Sequence, residues 1–242
     1  MHRFFIPPDW IGQDKVSIKG EQARQICRVL RLYPKDHITV LDNTGAEYEV
    51  EIDIVSGELV QGNMVRKSLC PNESKTKITL FQALLKIDKF ELVLQKGVEL
   101  GISTLVPFLS ERCTVKKPAE SRIARWRKIA QEAAEQSRRA LVPAVLPVVS
   151  FQEACRLAGK PSILLWEGEK TIGLSEFLKN TPRNAPAVSV FIGPEGGFPP
   201  SEVEYARSLG IVPVSLGCRI LRAETAGLAA VSAILYDRGE LG

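Results

Sequence analysis

Histidine is nearly absent from the chain: His2 and His37 are the two among 242 residues. The five cysteines, Cys27, Cys70, Cys113, Cys155 and Cys218, stand far apart with no C-x-x-C. Neither a zinc site nor a disulfide framework is therefore expected, and the thiols should stay reduced, as in the cytoplasm. Also missing is an apolar run approaching the roughly eighteen residues that a membrane helix needs. The opening MHRFFIPPDW is too short and too broken by proline for a signal peptide. A soluble, cytoplasmic protein without metal or membrane contact is expected. G-x-x-x-x-G-K-[ST] and G-x-G-x-x-G do not occur, which removes the P-loop and the dinucleotide fingerprint. Charge of one sign is not extreme either. At net +4, any contact with nucleic acid has to come from local clusters.

What the chain does have is 45% apolar residues, enough for a good core, and a texture that changes along its length. Tyr48, Val50, Ile52 and Ile54 alternate with Glu47, Glu49, Glu51 and Asp53, the period of a strand with one dry and one wet face. Asp42-Asn43-Thr44-Gly45 supplies a turn between it and a strand His37–Leu41, which predicts a hairpin. A helix over about Glu21–Leu30 would bury Ala23, Ile26, Cys27 and Leu30 and set Arg24, Arg28 and Arg31 in one row. Such a row is either a solvated face or a grip for phosphates. LCPNESKTK, Leu69–Lys77, reads as a linker, so residues 1–72 and 73–242 are expected to form two domains.

In the second part, apolar runs at Ile78–Leu85, Thr104–Leu109, Ile163–Trp166, Val188–Ile192 and Val212–Leu216 alternate with helical patterns, the signature of a parallel α/β sheet. A helix Asp88–Leu100 turns Phe90, Val93, Leu94 and Val98 inward, leaves Lys86, Lys89 and Lys96 outside, and stops at Gly101. A longer helix, Ser121–Arg139, exposes Arg122, Arg125, Lys128, Arg138 and Arg139. Leu141–Val149, with Pro143 and Pro147, reads as an irregular apolar connector.

Two glycine-bearing turns dominate the last fifty residues. Ala187–Ile192 runs straight into Gly193-Pro194-Glu195-Gly196-Gly197, and Ser201-Glu202-Val203-Glu204 then reads as a capping box opening a helix. Val212–Leu216 runs into Gly217-Cys218-Arg219-Ile220-Leu221-Arg222-Ala223-Glu224-Thr225, and Ala226–Tyr236 is almost wholly small or apolar, so that helix should be buried on most sides. Bare backbone at a strand end lets a ligand approach the main chain closely, and two such loops suggest one ligand between them.

IGPEGGF (Ile192–Phe198) and LGCRILRAETA (Leu216–Ala226), with MHRFF, VLRL, KIDKFELVLQKGVELG and EAAEQSRR elsewhere, resemble the knotted SPOUT class of S-adenosylmethionine-dependent RNA methyltransferases and, within it, the RsmE family, which methylates N3 of a uridine in 16S ribosomal RNA. The resemblance covers nearly the whole chain. It implies an α/β SPOUT domain with a trefoil knot, preceded by a small β-rich PUA-like barrel, and a homodimer acting on 16S RNA or the small ribosomal subunit. It implies S-adenosylmethionine held by three loops: Leu165, Trp166 and Glu167; Ile192, Gly193, Pro194, Gly196 and Gly197; and Leu216, Gly217, Ile220, Leu221, Ala223, Thr225 and Ala226. Uridine N3 bears a proton whose pKa lies roughly two units above neutrality, so the chemistry needs a proton acceptor or a compensating cation. Arg222, Glu195, Glu224 and Arg138 are the candidates, each with a structural ion pair as its plainer role. Arg3, Arg24, Arg28, Arg31, Lys86, Lys89, Arg138 and Arg139 are the expected RNA contacts. Two alternatives stay open: a SPOUT enzyme acting on ribose 2'-OH or another base, and a non-catalytic RNA-binding assembly factor.

Overall fold

In the computed structural model, which describes residues 1–241, the chain divides into two compact units. The first is Met1–Glu73 with Ala134–Val142; the second is Ser74–Ala133 with Pro143–Gly242. A boundary drawn after residue 72 misses the return of Ala134–Val142, because a return segment leaves no composition break.

The first unit is a five-stranded sheet. Its strands are β1 (His2–Phe5), β2 (Lys15–Lys19), β3 (His37–Leu41), β4 (Ala46–Val55) and β5 (Leu59–Leu69), in the order β1-β3-β4-β5-β2. The predicted hairpin is β3–β4, with Ile38 opposite Val50 and Val40 opposite Tyr48. Its turn is set by Asp42, whose carboxylate accepts from Thr44 N, Thr44 Oγ1 and Tyr48 OH, while Asn43 and Gly45 take φ of 62° and 97°. Tyr48, Val50 and Ile52 are buried as the alternation predicts, but Ile54 is 48% exposed. The register against β5 shifts between Ile52 and Ile54, and the bulge turns that side chain out.

The predicted helix Glu21–Leu30 is instead an α-helix, α1 (Gly20–Arg24), that widens into a π-helical turn over Gln25–Val29. Ala23 and Ile26 are buried, but the wider turn breaks the spacing that would stack the arginines, and Arg31 lies beyond it at φ 53°.

The second unit is a parallel sheet of β6 (Lys77–Ala83), β7 (Thr104–Leu109), β8 (Ala144–Val145), β9 (Val149–Ser150), β10 (Ser162–Leu165), β11 (Ala187–Ile192) and β12 (Val212–Val214). The order is β12-β10-β11-β6-β7-β8, with β9 beside β7. Leu141–Val149 is thus less irregular than its prolines suggest: Ala144–Val145 and Val149–Ser150 form two short strands against β7. Helices α2 (Ile87–Leu100) and α3 (Glu120–Gln136) follow β6 and β7, and α2 ends as predicted at Gly101, φ 110°. Three helices that the sequence pattern left undefined or open complete the layers: α4 (Phe151–Leu157), α5 (Leu174–Lys179) and α6 (Pro200–Ser208). The last helix is α7 (Ala223–Asp237).

The capping box is not where it was expected. Helix α6 is capped by Pro199 without a side-chain bond, whereas Ser150 and Glu153 form a reciprocal box at α4. Under the sheet's glycine edge lies an aromatic core in which Phe81 stacks on Phe191 at 4.2 Å and Phe198 lies parallel to Phe108 at 6.3 Å. Helix α7 buries Gly227, Ala230, Val231, Ile234 and Leu235, but its other face is only half covered and Tyr236 is 74% exposed. The helix is thus buried along one side and not all round.

Candidate cofactor site

Strand order decides where a ligand can sit. The chain passes from β10 to β11 on one side and then to β12 on the other, so β10 is a switch point from which successive connections diverge. Leu165 at the end of β10 is level with Ile192 of β11 and Val214 of β12. Three loops therefore leave one sheet edge at one height. Between them lies a cavity of about 500 Å³ that touches Leu165, Glu167, all of Ile192–Phe198, and Ile220–Glu224 with Ala226. A second cavity, about 570 Å³, shares Leu165, Glu167, Ile220, Leu221 and Ala226 with it and adds Trp166, Leu216 and Gly217.

Space explains much of the first loop. A Cβ on Gly193 would stand 3.1 Å from the ring of Phe198, which is 1% exposed. A Cβ on Gly196 would press on Arg112 at 3.3 Å, and one on Gly197, at φ 67°, would run into the Glu167 carboxylate. Gly217 differs: its φ is 104°, but a Cβ there meets nothing within 4 Å. The left-handed backbone angle at Gly217 is what demands glycine there.

Charge is concentrated at one end. Lys89 reaches in from α2, with Nζ 3.4 Å from Glu224 Oε1 and 3.7 Å from Glu195 Oε1. It was expected outside, as an RNA contact; instead it lines the cavity and joins the two candidate acids. Glu224 Oε2 is buried with no hydrogen-bond partner among the described residues. Arg222 stands 80% exposed at the mouth, 4.0 Å from Glu224.

All expected cofactor residues except Thr225 line one or other cavity; Thr225 is exposed. Arg138, the fourth catalytic candidate, lines neither. Its backbone sits at φ 60° in the first unit, and its carbonyl accepts from Asn72. Several expected RNA contacts are occupied elsewhere. Arg139 is 4% exposed, with Nη2 2.9 Å from Glu73, and Arg3 bonds Glu47 at 3.1 Å and the Arg139 carbonyl. Burial pushes the Glu73 carboxyl up, but Arg139 and the N–H groups of Ala140 and Leu141 outweigh it and hold it below its usual range. Arg24 makes a two-pronged bond to Glu58. Arg28, Arg31, Lys86 and Arg138 remain exposed.

Sequence reasoning missed the residues behind the first loop. Glu202, read as part of a cap, is 7% exposed; its oxygens accept from Ser110 Oγ at 2.7 Å and Glu111 N at 2.9 Å. The next residue, Arg112, donates from Nη1 to Gly196 O at 3.0 Å. A buried acid thus fixes the turn that clamps the glycine loop. Burial pushes the Glu202 carboxyl up, against the pull of these two donors. Phe198 stood in the quoted motif but not among the expected site residues. Glu169, in the second cavity, is held down to about 2 by the Thr171 hydroxyl first, then by the N–H groups of Thr171, Ile172 and Lys170.

Bare backbone from two loops, apolar side chains and a few convergent charges at the carboxyl edge of a parallel sheet define an α/β domain with a site for a nucleotide-sized cofactor. A family model described as RNA methyltransferase domain matches residues 72–235. The ribosomal RNA small subunit methyltransferase E of Bacillus subtilis is 38% identical over 91% of this chain and 90% of its own length. That of Synechocystis sp. is 35% identical over 97% of this chain and 78% of its own. Among solved structures, ribosomal RNA small subunit methyltransferase E of Neisseria gonorrhoeae, bound to S-adenosyl methionine, superimposes with a TM-score of 0.89 at 32% identity, covering 98% of this chain and 97% of that one. The chain belongs to the ribosomal RNA small subunit methyltransferase E family, the RsmE family that its motifs resemble.

Proposed function

We propose that the protein transfers the methyl group of S-adenosylmethionine to N3 of a uridine in 16S ribosomal RNA of the small subunit. The observation that carries the reading is the convergence of the two glycine loops on one cavity of about 500 Å³, a size suited to a nucleoside cofactor. The residues present fit that cofactor. Gly193, Gly196 and Gly197 leave main chain bare where side chains would collide with Phe198, Arg112 and Glu167; Leu165, Ile192 and Leu221 give apolar wall; and the buried, unpartnered Glu224 Oε2 offers an acceptor. When bound, S-adenosylmethionine supplies an electrophilic methyl group on a sulfonium, so positioning carries much of the rate.

The chain's own residues supply the rest. Lys89, shared between Glu195 and Glu224, holds the two candidate acids beside one another at the cavity. Either acid could take the uridine N3 proton, and Glu195 is the more exposed of the two. Arg222, loosely held at 4.0 Å from Glu224, can turn its guanidinium toward the uracil oxygens as they gain negative charge. Of the expected RNA contacts, Arg28, Arg31, Lys86 and Arg138 stay exposed. The alternative for Arg138 is a role across the subunits of a dimer.

The reading extends to a SPOUT trefoil knot in the second unit and a PUA-like barrel in the first, supported by the return of β12 beside β10 and by the five-stranded sheet. It also extends to a homodimer. The outer face of α7, with half-covered Leu228, Ala229 and Ala233 beside exposed Tyr236, suits a two-fold partner. Light scattering at micromolar concentration should give twice the chain mass. The main test is nucleoside mass spectrometry of small-subunit RNA treated with the protein and S-adenosylmethionine. N3-methyluridine is expected; a ribose methyl or no product would overturn the reading.

A further inference from the structure

Several of the chain's basic residues are neutralised within the fold. Arg24 faces Glu58, Arg125 faces Glu91, Lys96 faces Glu99 and Arg139 faces Glu73, each within 3 Å. One cluster is not. Lys86, Lys116, Lys117 and Arg122 line a cleft of about 570 Å³ in the second unit, and none of the four forms an ion pair among the described residues. Asp88 is the one carboxylate of that lining, so the cleft holds a local excess of positive charge inside a protein whose total is +4. Exposed Ile87 and half-buried Val115 add apolar surface to the lining. Cations beside apolar surface suit a chain that alternates phosphates with sugars and bases.

The cleft is tied to the cofactor cavity through both of its walls. Helix α2 begins with Ile87 and Asp88 in the cleft and continues to Lys89 in the cavity. The segment after β7 carries Arg112, bonded to Gly196 of the first glycine loop, and four residues later Lys116 in the cleft. Resting on the methyltransferase reading, we propose that this cleft binds the sugar-phosphate backbone of single-stranded RNA beside the nucleotide to be methylated, with Lys116 and Lys117 as its main phosphate contacts.

The test is anisotropy of a fluorescein-labelled single-stranded uridine-containing RNA at several salt concentrations, using the full chain with Lys116→Gln and Lys117→Gln together. Each lost phosphate contact lowers the slope of log affinity against log salt by about 0.7, so the double variant should lose about 1.4. Lys116→Arg with Lys117→Arg should retain the wild-type slope. Lys96→Gln with Arg125→Gln removes the same formal charge from paired positions and should leave the slope unchanged. Lys116, Lys117 and Arg125 are exposed and Lys96 is half-buried, and calorimetric titration with S-adenosylmethionine should give wild-type affinity in each folded variant. A wild-type slope in the cleft variant, or an equal loss in the paired-charge control, would overturn the proposal. Anisotropy reads RNA without methyl transfer, so the two readings fail separately: a wild-type chain that binds no S-adenosylmethionine counts against the methyltransferase, and an unchanged slope counts against the cleft.

Discussion

Of the two loops that wall the cavity, Gly193–Gly197 is packed from behind by Phe198, Arg112 and Glu167, and Arg112 in turn leaves a turn anchored on buried Glu202. The other, Gly217–Arg222, stands open. A Cβ at Gly217 would touch nothing, and Ile220 and Arg222 have side chains 85% and 80% exposed. The same residue type thus serves two purposes: glycine in the first loop answers to space, and in the second to backbone angle. The first loop is held from behind by the fold; the second presents side chains that the chain itself leaves uncovered.

The comparison can be broken at its sharpest point, the exposed arginine of the open loop. Arg222→Ala should lower the rate of methyl transfer about a hundredfold while S-adenosylmethionine affinity holds, because the group acts on charge that develops in the reaction. An equal loss of affinity in calorimetric titration would move Arg222 into the cofactor wall. Next in size is the anchor of the packed loop. Glu202→Ala leaves Ser110 Oγ and Glu111 N without their acceptor and should cost about 2 kcal/mol in urea unfolding. Glu202→Gln, which can still satisfy both, should cost well under half of that.

Gly197→Ala places an ordinary side chain at φ 67° against Glu167 and should weaken S-adenosylmethionine binding about tenfold, or about 1.4 kcal/mol. Gly217→Ala, strained but unobstructed, should cost about 1 kcal/mol, or about fivefold. If Gly217→Ala proves the more damaging of the two, the second loop is packed as tightly as the first. An effect of another kind appears only in acid. Glu169 ordinarily titrates at 4.5 and is held down to about 2, so the folded chain binds fewer protons there than the unfolded one. Its contribution is present above pH 4.5 and is lost as pH falls through about 2; Glu169→Gln should flatten that stretch of an acid unfolding curve.

Apolar periodicity made the five main strands of the parallel sheet, the β3–β4 hairpin and α2 legible, since each buries one face by a simple repeat. The cavity was legible from its glycines, because bare backbone at strand ends has few other uses. What could not be read has physical causes. The π-helical turn after Arg24 and the bulge before Ile54 are one-residue irregularities that no repeat announces. Arg139 and Glu73 lie far apart in sequence, so a surface cation and a buried ion pair look alike until the chain returns on itself. Glu202 sat in a plausible S-x-x-E pattern, and only the position of Ser110 shows that its carboxylate faces inward. The pattern at Ser150–Glu153 was equally visible and marks the cap that forms.

The central claim is that both loops close on one molecule of S-adenosylmethionine, and the direct measurement is calorimetric titration of the cofactor into wild type, Gly197→Ala and Gly217→Ala. One cofactor per chain is predicted, with affinity falling about tenfold in the first variant and about fivefold in the second. No binding to wild type, or unchanged affinity in both folded variants, would contradict the account.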